Sequence, residues 1–302
     1  MEKPCCTKCR LSAVQFRLDP VDSDDMNEAA FLPKKIIAMH AYSLLRQIGM
    51  SEPRVNQLLP SIELRELDRD ERFGKGGLAP LTCILRGLVG TGQVSRTNGE
   101  FALANIHGLG TWLGGEEMFN RMPTGQDHLC LAPTRLLIIP LQAALEAFEK
   151  DAEFSRYIAR QQAWRQHWQA GMRHLLTSAY PAARVVFGLA MLAEALHCSY
   201  SHLAVDLPDS PLVIPVNQTL LANLCCVSRG VFSSTAQQLA DAAVLQVNYA
   251  STRLLSTKVW MNLSSQYRQD KAACDRLSVE QILLLMVQGR SGSDECSSGL
   301  PS

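Results

Sequence analysis

The chain of 302 residues contains no uncharged apolar run of about 18 residues, and this absence argues against a membrane-spanning helix. Its first stretch, MEKPCCTKCRLSAVQF, also lacks the apolar core of a secretory signal peptide. We therefore expect a cytoplasmic protein. In that compartment its ten cysteines would be reduced thiols rather than disulfides.

The sequence also lacks the usual signatures of an enzyme. There is no nucleophile–base motif, no phosphate-binding loop and no closed set of four metal ligands, so the sequence does not predict an enzyme. The net charge is zero and gives no overall indication of a nucleic-acid partner. Residues 215–268 differ, because they hold four cations and one carboxylate, a local charge of +3 that suits contact with phosphates.

Glycine is frequent in one part of the N-terminal half, where eight glycines fall between residues 87 and 115. They separate short apolar runs, which is typical of tight turns in an antiparallel β-barrel or jelly roll. We therefore predict an α+β fold. In it a tail over residues 1–30 precedes a β-roll domain over 31–150, which opens with a short amphipathic helix over 34–48.

Glycine becomes scarce after Pro140, and residues 141–178 have a helical pattern with a break near Lys150 and Asp151. Seven positions of this helix follow one another at spacings of four and three, as in a coiled-coil seam. We predict that residues 151–178 form the dimerisation helix of a homodimer. The proposed interface consists of Phe154, Ile158, Gln161, Arg165, Trp168, Met172 and Leu175. The alternative is that this stripe packs on its own domain.

Two short helices joined by a three-residue turn are predicted between residues 217 and 240. Asn217 and Ser228 are favourable N-caps, and Ala222 supplies the small residue that a close helix crossing requires. Residues 245–256 then have the pattern of two short strands around a turn, a wing. We predict a winged helix-turn-helix domain over residues 179–270, followed by a C-terminal helix and tail over 271–302.

In a helix-turn-helix, the first residues of the second helix reach base edges in the major groove of DNA. Arg229 stands there, and its guanidinium can pair with guanine O6 and N7. The predicted DNA-binding residues are Ser228, Arg229, Ser233, Ser234, Gln237 and Arg253. The alternative is an ordinary helical hairpin that binds no DNA.

The order of β-roll, long helix and winged helix resembles the cyclic-AMP receptor protein and fumarate-nitrate regulator (CRP/FNR) superfamily of bacterial transcription regulators. The resemblance covers residues 59–263 and is carried by the segments HGLGTWLGGEEMF and VSRGVFSSTAQQLADAAVLQ. It implies a homodimer on double-stranded DNA that recruits or blocks RNA polymerase, with Ser228 on a phosphate and Arg229 on a guanine. Gly230 and Ser234 stand where the family commonly has Glu and Arg, so we expect a different DNA site.

The same resemblance implies a degenerate effector pocket. Gly115 and Glu116 look like the Gly-Glu pair that holds the ribose of a cyclic nucleotide. Gln126 and Asp127 stand where the family has an Arg followed by Ser or Thr for the phosphate. A carboxylate repels a phosphodiester, and no guanidinium balances it at that position. We therefore expect no response to cyclic nucleotides.

Three cysteines, Cys5, Cys6 and Cys9, precede the β-roll, where redox sensors of the family carry ligands. An iron–sulfur cluster needs about four thiolates. Their spacing is not that of the family, and no fourth cysteine matches in the β-roll. We therefore expect no cofactor, with an iron–sulfur cluster or zinc at these cysteines as one alternative. Another is a degenerate regulator that acts by protein–protein contact.

Overall fold

The computed structural model describes residues 34–74, 78–94, 99, 101–201, 211–248 and 250–291. The predicted tail therefore lies outside the described residues, and so do Cys5, Cys6 and Cys9. The described chain has the predicted α+β organisation, with a β-roll, a long helix and a helical C-terminal domain that carries a small sheet.

Eight strands build the β-roll. They are β1 (Glu63–Leu67), β2 (Arg72–Phe73), β3 (Leu81–Arg86), β4 (Val89–Val94), β5 (Phe101–His107), β6 (Trp112–Leu113), β7 (Asp127–Cys130) and β8 (Thr134–Ile139). Two antiparallel sheets result, in the orders β1-β8-β3-β6 and β2-β7-β4-β5. The β4–β5 register shifts between Thr91 and Gly92. A Cβ atom at Gly92 would lie 2.0 Å from the Ala102 carbonyl oxygen, so this irregular pairing requires glycine.

Four helices surround the β-roll. They are α1 (Lys34–Gln47), α2 (Glu52–Leu58), α3 (Gly115–Asn120) and α4 (Leu141–Lys150). The apolar stripe predicted for the first of them is buried at Ala41, Leu44 and Leu45, in one cluster with Trp112 of β6. Helices α2 and α3 were not predicted, because seven and six residues are too few to show a helical period.

Helix α5 (Ala152–Ser178) has 27 residues and is about 40 Å long. The predicted break before it is confirmed, and its cause is Asp151. The carboxylate of Asp151 accepts a hydrogen bond from the Phe154 amide (2.9 Å) as the N-cap of α5, and another from the Ser51 amide (3.1 Å). One side chain thus starts the long helix and ties it to the segment before α2.

The predicted dimer seam on α5 is wrong, because its side chains are covered within a single chain. Phe154 and Ile158 are fully buried beside the β-roll. Trp168 and its apolar neighbours one and two turns further along pack against α6 (Pro181–Ser201). All seven positions are buried or nearly so in the monomer: Phe154, Ile158, Gln161, Arg165, Trp168, Met172 and Leu175. The alternative, packing on the chain's own domain, is the correct one for this stripe.

The remaining elements form the C-terminal domain. They are β9 (Leu212–Ile214), α7 (Gln218–Leu224), α8 (Arg229–Asp241), β10 (Leu245–Asn248), β11 (Ser251–Leu254), α9 (Thr257–Gln269), α10 (Lys271–Cys274) and α11 (Val279–Ser291). The hairpin of β10 and β11 is the predicted wing. Strand β9 pairs with β11 and was not among the elements predicted from the sequence. Helix α9 was also not predicted; it packs on α6 and buries Trp260 completely.

One apolar core joins the β-roll to the C-terminal domain. Leu88, Leu103 and Ile106 of the β-roll belong to the same buried cluster as the residues of α6 and α8. Arg69, between β1 and β2, adds a hydrogen bond to the Pro215 carbonyl oxygen (3.3 Å). No helix among the described residues is long and apolar enough to cross a membrane.

Candidate DNA-binding surface and effector pocket

The helix-turn-helix forms at the predicted residues. The Asn217 side chain accepts a hydrogen bond from the Leu220 amide (2.9 Å) and starts α7. Ser228 Oγ accepts one from the Val231 amide (3.3 Å) and starts α8. Both N-caps are confirmed, and each satisfies an amide that has no partner inside its helix.

Between these helices, the turn contains a residue in left-handed backbone conformation. Cys226 has a φ of 49°, which costs a non-glycine residue roughly 1–2 kcal/mol. Its carbonyl oxygen accepts a hydrogen bond from Arg184 of α6 (3.3 Å), and the next amide, of Val227, bonds to the Ala222 carbonyl (3.0 Å). Glycine would adopt this left-handed conformation more easily, and here hydrogen bonds to the backbone of the turn hold Cys226 in it.

The two helices cross closely at Ala222, as the sequence predicts. Leu221 and Phe232 are fully buried, and Ala222 at the crossing is almost completely buried. Cys225 is buried as well, and burial raises the pKa of its thiol to about 12, so it behaves as a small neutral core residue. Thr235, a weak apolar residue for its position, is nevertheless buried.

Every predicted DNA-contacting side chain is exposed. Five lie at the start and along the outer face of α8, and the sixth lies on β11 of the wing: Ser228, Arg229, Ser233, Ser234, Gln237 and Arg253. Gln237 Nε2 donates to Asp241 Oδ1 (2.8 Å), which orients that amide along the helix. Sequence analysis missed Gln246, the exposed cross-strand partner of Arg253 on β10, although the alternating pattern of the wing would have shown it.

Gly230 gives the exposed face of α8 a position without a side chain. Nothing but Ser228 Oγ, at 4.0 Å, lies near the point where its Cβ would be. We predict that Gly230→Ala raises the free energy of unfolding by about 0.5–1 kcal/mol in urea denaturation, because alanine restricts the unfolded chain. Gly92→Ala is the matched control and should lower it by about 1–3 kcal/mol through the backbone clash. A destabilised Gly230→Ala variant would contradict the open space.

The residues predicted for ribose binding face helix α5. The Glu116 carboxylate lies 3.8 Å from the guanidinium of Arg165, which also donates to the Trp112 carbonyl oxygen (3.0 Å). A Cβ on Gly115 would be only 2.1 Å from Gln162 Nε2. Helix α5 therefore closes directly onto α3, and Arg165 occupies the space in front of Glu116.

The residues predicted to bind the phosphate make their contacts within the β-roll. Gln126 and Asp127 are half-buried at the start of β7, and Asp127 Oδ2 accepts a hydrogen bond from the Val94 amide of β4 (3.2 Å). Just before them, Thr124 donates to the buried carboxylate of Glu117 (2.5 Å). The predicted ribose and phosphate residues thus have separate partners, and the phosphate side is acidic.

A small cavity remains between β5 and α5. It has a volume of about 20 Å³, room for about one water molecule. Its wall includes His107, whose Nε2 lies 3.1 Å from Thr91 Oγ1. Burial, and then the charge of Arg165, keep the pKa of His107 well below its usual value, so the ring is neutral. His128 is also buried and stacks on Phe73 at 4.9 Å.

The buried thiols of the β-roll are poor candidates for metal ligands. Cys83 and Cys130 are buried, and burial raises the pKa of Cys130 to about 11, whereas a cluster binds thiolates. No group of three or more His, Cys, Asp or Glu side chains in the described part of the chain is placed to hold a metal ion.

Comparison with known proteins identifies the fold. No protein-family model matches the sequence, and no curated protein does. Among solved structures, a cyclic nucleotide-binding domain containing protein from Listeria monocytogenes matches at TM-score 0.51 and 14% identity, covering 74% of this chain and 97% of its own. A protein from Ruegeria pomeroyi described as cyclic nucleotide binding matches at 0.50 and 17%, covering 78% and 99%.

A third structure, a transcriptional regulator of the CRP/FNR family from Thermus thermophilus, matches at TM-score 0.50 and 16% identity, and covers 67% of this chain and 98% of its own. These identities are low, so the comparison concerns the arrangement of elements rather than individual residues. The chain therefore shares its fold with these solved structures, one of which is described as a transcriptional regulator of the CRP/FNR family.

Proposed function

We propose that the protein is a transcription regulator that binds specific duplex DNA as a homodimer, with α8 in the major groove. The observation that carries the proposal is the outer face of α8. Arg229 is exposed at its first turn and makes no ion pair with any described residue, so its guanidinium is available for a base edge. The wing beside it presents Arg253 for phosphate contact.

For the dimer contact we propose the exposed face of α5. Ala159, Ala163, Gln166 and Ala170 are all exposed and follow one another at spacings of four, three and four. This is the coiled-coil period on the face opposite the buried stripe. Three alanines allow a second helix to approach closely, and the single polar position can set the register.

In this proposal the regulator does not respond to cyclic nucleotides. The cavity between β5 and α5 has room for about one water molecule, and the guanidinium of Arg165 lies 3.8 Å from the Glu116 carboxylate. Asp127 would repel a phosphodiester. The protein carries no cofactor and is not an enzyme, and on DNA it acts by recruiting or blocking RNA polymerase.

The test is a selection of bound sequences from random DNA, followed by mobility shifts on the selected site. Arg229→Ala should cost about 1–3 kcal/mol of specific binding and relax one base position in each half-site. Cyclic AMP should leave both affinities unchanged. Arg86→Ala is the matched control, because Arg86 is exposed at the end of β3 in the β-roll.

The same experiment decides the alternative function. Gly230 and Ser234 lack the larger side chains that read bases in related regulators, which favours a protein that acts by protein–protein contact. If the wild-type protein and Arg229→Ala both bind weakly and without sequence preference, this alternative replaces the proposal. Unchanged site preference in Arg229→Ala alone would remove that residue from base reading.

A further inference from the structure

The junction between α5 and α6 is bonded to a carboxylate that comes from much later in the chain. Asp275 follows α10 and is 7% exposed. Its Oδ2 lies 3.1 Å from Nε2 of His174 in the last turn but one of α5. Its carbonyl oxygen accepts a hydrogen bond from the amide of Tyr180, which precedes α6 (2.9 Å). One residue therefore holds both sides of the junction.

The second oxygen of this carboxylate connects to α9. Tyr267 donates its hydroxyl to Asp275 Oδ1 (3.0 Å), and its ring packs on Phe187 of α6 at 4.8 Å. Burial, together with the bond and charge of Asp275, raises the pKa of Tyr267, so the phenol stays protonated and donates. The carboxylate is thus satisfied on both oxygens, as a buried charge requires.

Helix α9 continues from this junction to the DNA-reading unit. Ser264 donates to the buried carboxylate of Glu194 on α6 (2.7 Å), and Arg268 forms an ion pair with the same carboxylate. At the far end, Trp260 Nε1 donates to the Val244 carbonyl, in the link between α8 and β10 (3.2 Å). Helix α9 is therefore a strut that joins the α8–wing link to the junction of α5 and α6.

We propose that Asp275 is a positioning residue that fixes the angle between α5 and α6 and, through α9, the orientation of α8. Its carboxylate contacts α5 through the ring of His174, so this contact is its link to that helix. The inference rests on the proposed function, because it gives α8 a fixed orientation relative to the helix assigned to the dimer contact. It adds that the C-terminal helices α9 and α10 set that orientation.

The test compares His174→Ala with His174→Gln, whose amide can still donate to Asp275. His174 is 40% exposed, so its removal should leave the fold intact. We expect His174→Ala to accelerate hydrogen exchange at the Tyr180 amide about tenfold and to weaken specific DNA binding by a similar factor, since a bond to a charged group is lost. His174→Gln should restore both. His167→Ala, an exposed histidine on the same helix, should leave the exchange at Tyr180 unchanged.

Asp275→Asn, with the backbone bond kept, is the second variant and should give an intermediate acceleration. Unchanged exchange at Tyr180 in His174→Ala, or equal acceleration in His167→Ala, overturns the positioning role. The exchange measurement needs no DNA. A wild-type protein without DNA binding would therefore refute the proposed function, while the exchange rates would still decide whether Asp275 holds the junction.

Discussion

Replacing Ala163 with aspartate is expected to turn the proposed dimer into monomers and to lower its proposed specific affinity for DNA by about a hundredfold or more. Ala163 is exposed at the centre of the proposed contact face of α5, so the monomer should tolerate the change. In a symmetric dimer, the two new carboxylates would meet across the axis without a cation between them. A monomer contacts only one half-site and therefore lacks the gain in affinity from bivalent binding, which is typically a factor of about 10²–10⁴.

Sedimentation velocity and mobility shifts on the selected site measure the two effects. Ala104→Asp provides the control, since Ala104 is exposed on β5 of the β-roll and receives the same substitution. This control should remain dimeric and bind DNA normally. A dimeric Ala163→Asp protein would show that the contact lies on another surface.

Replacing Trp168 with alanine should lower the free energy of unfolding by about 3–5 kcal/mol, the usual cost of removing a buried large aromatic side chain. The indole is 7% exposed, and its Nε1 donates to the Met191 carbonyl oxygen of α6 (2.9 Å). The loss therefore falls on the packing of α5 against α6 within one chain. The variant should fold at low temperature and have a lower melting temperature than the wild-type protein.

Urea denaturation of the variant measures this loss at several protein concentrations. If Trp168 lay in a dimer contact, its replacement would mainly change the concentration at which the dimer dissociates. A variant with near wild-type stability and a weakened dimer would restore the seam that the sequence predicted. The pair Ala163→Asp and Trp168→Ala thus assigns the two faces of α5 to their partners.

Local features of the C-terminal domain could be predicted well because they are encoded within a few residues. Asn217 and Ser228 cap helices through amides three residues away, and the three-residue turn follows from their spacing. The break at Asp151 is similar, since its cap also acts at short range. No distant part of the chain has to be known for such features.

The partner of an apolar stripe could not be predicted, because burial within a chain and burial in a dimer select the same residue types. The spacing of Phe154, Ile158 and Trp168 correctly indicates a covered face, but not what covers it. The opposite, alanine-rich face gives little hydrophobic signal. Arg165 was assigned to the seam for the same reason, although its contacts are with Trp112 and Glu116, about fifty residues earlier in the chain.

Short or mostly polar elements were missed for a different reason. Strand β9 has three residues, and its place is set by pairing with β11, more than thirty residues later. Helix α9 carries only a narrow apolar stripe, with Trp260 and Tyr267 among serines, asparagine and glutamine. Its stability comes from packing on α6, which sequence periodicity does not reveal.

The apolar core shared by the β-roll and α6 bears on how such a chain could be recombined. Leu88, Leu103 and Ile106 are buried together with the residues of α6, so a β-roll truncated before α5 would expose an apolar surface to water. Fusing this C-terminal half to an unrelated N-terminal domain would expose the apolar surface of α6 that the β-roll covers. The two halves are therefore expected to have been inherited as one unit rather than exchanged as interchangeable modules.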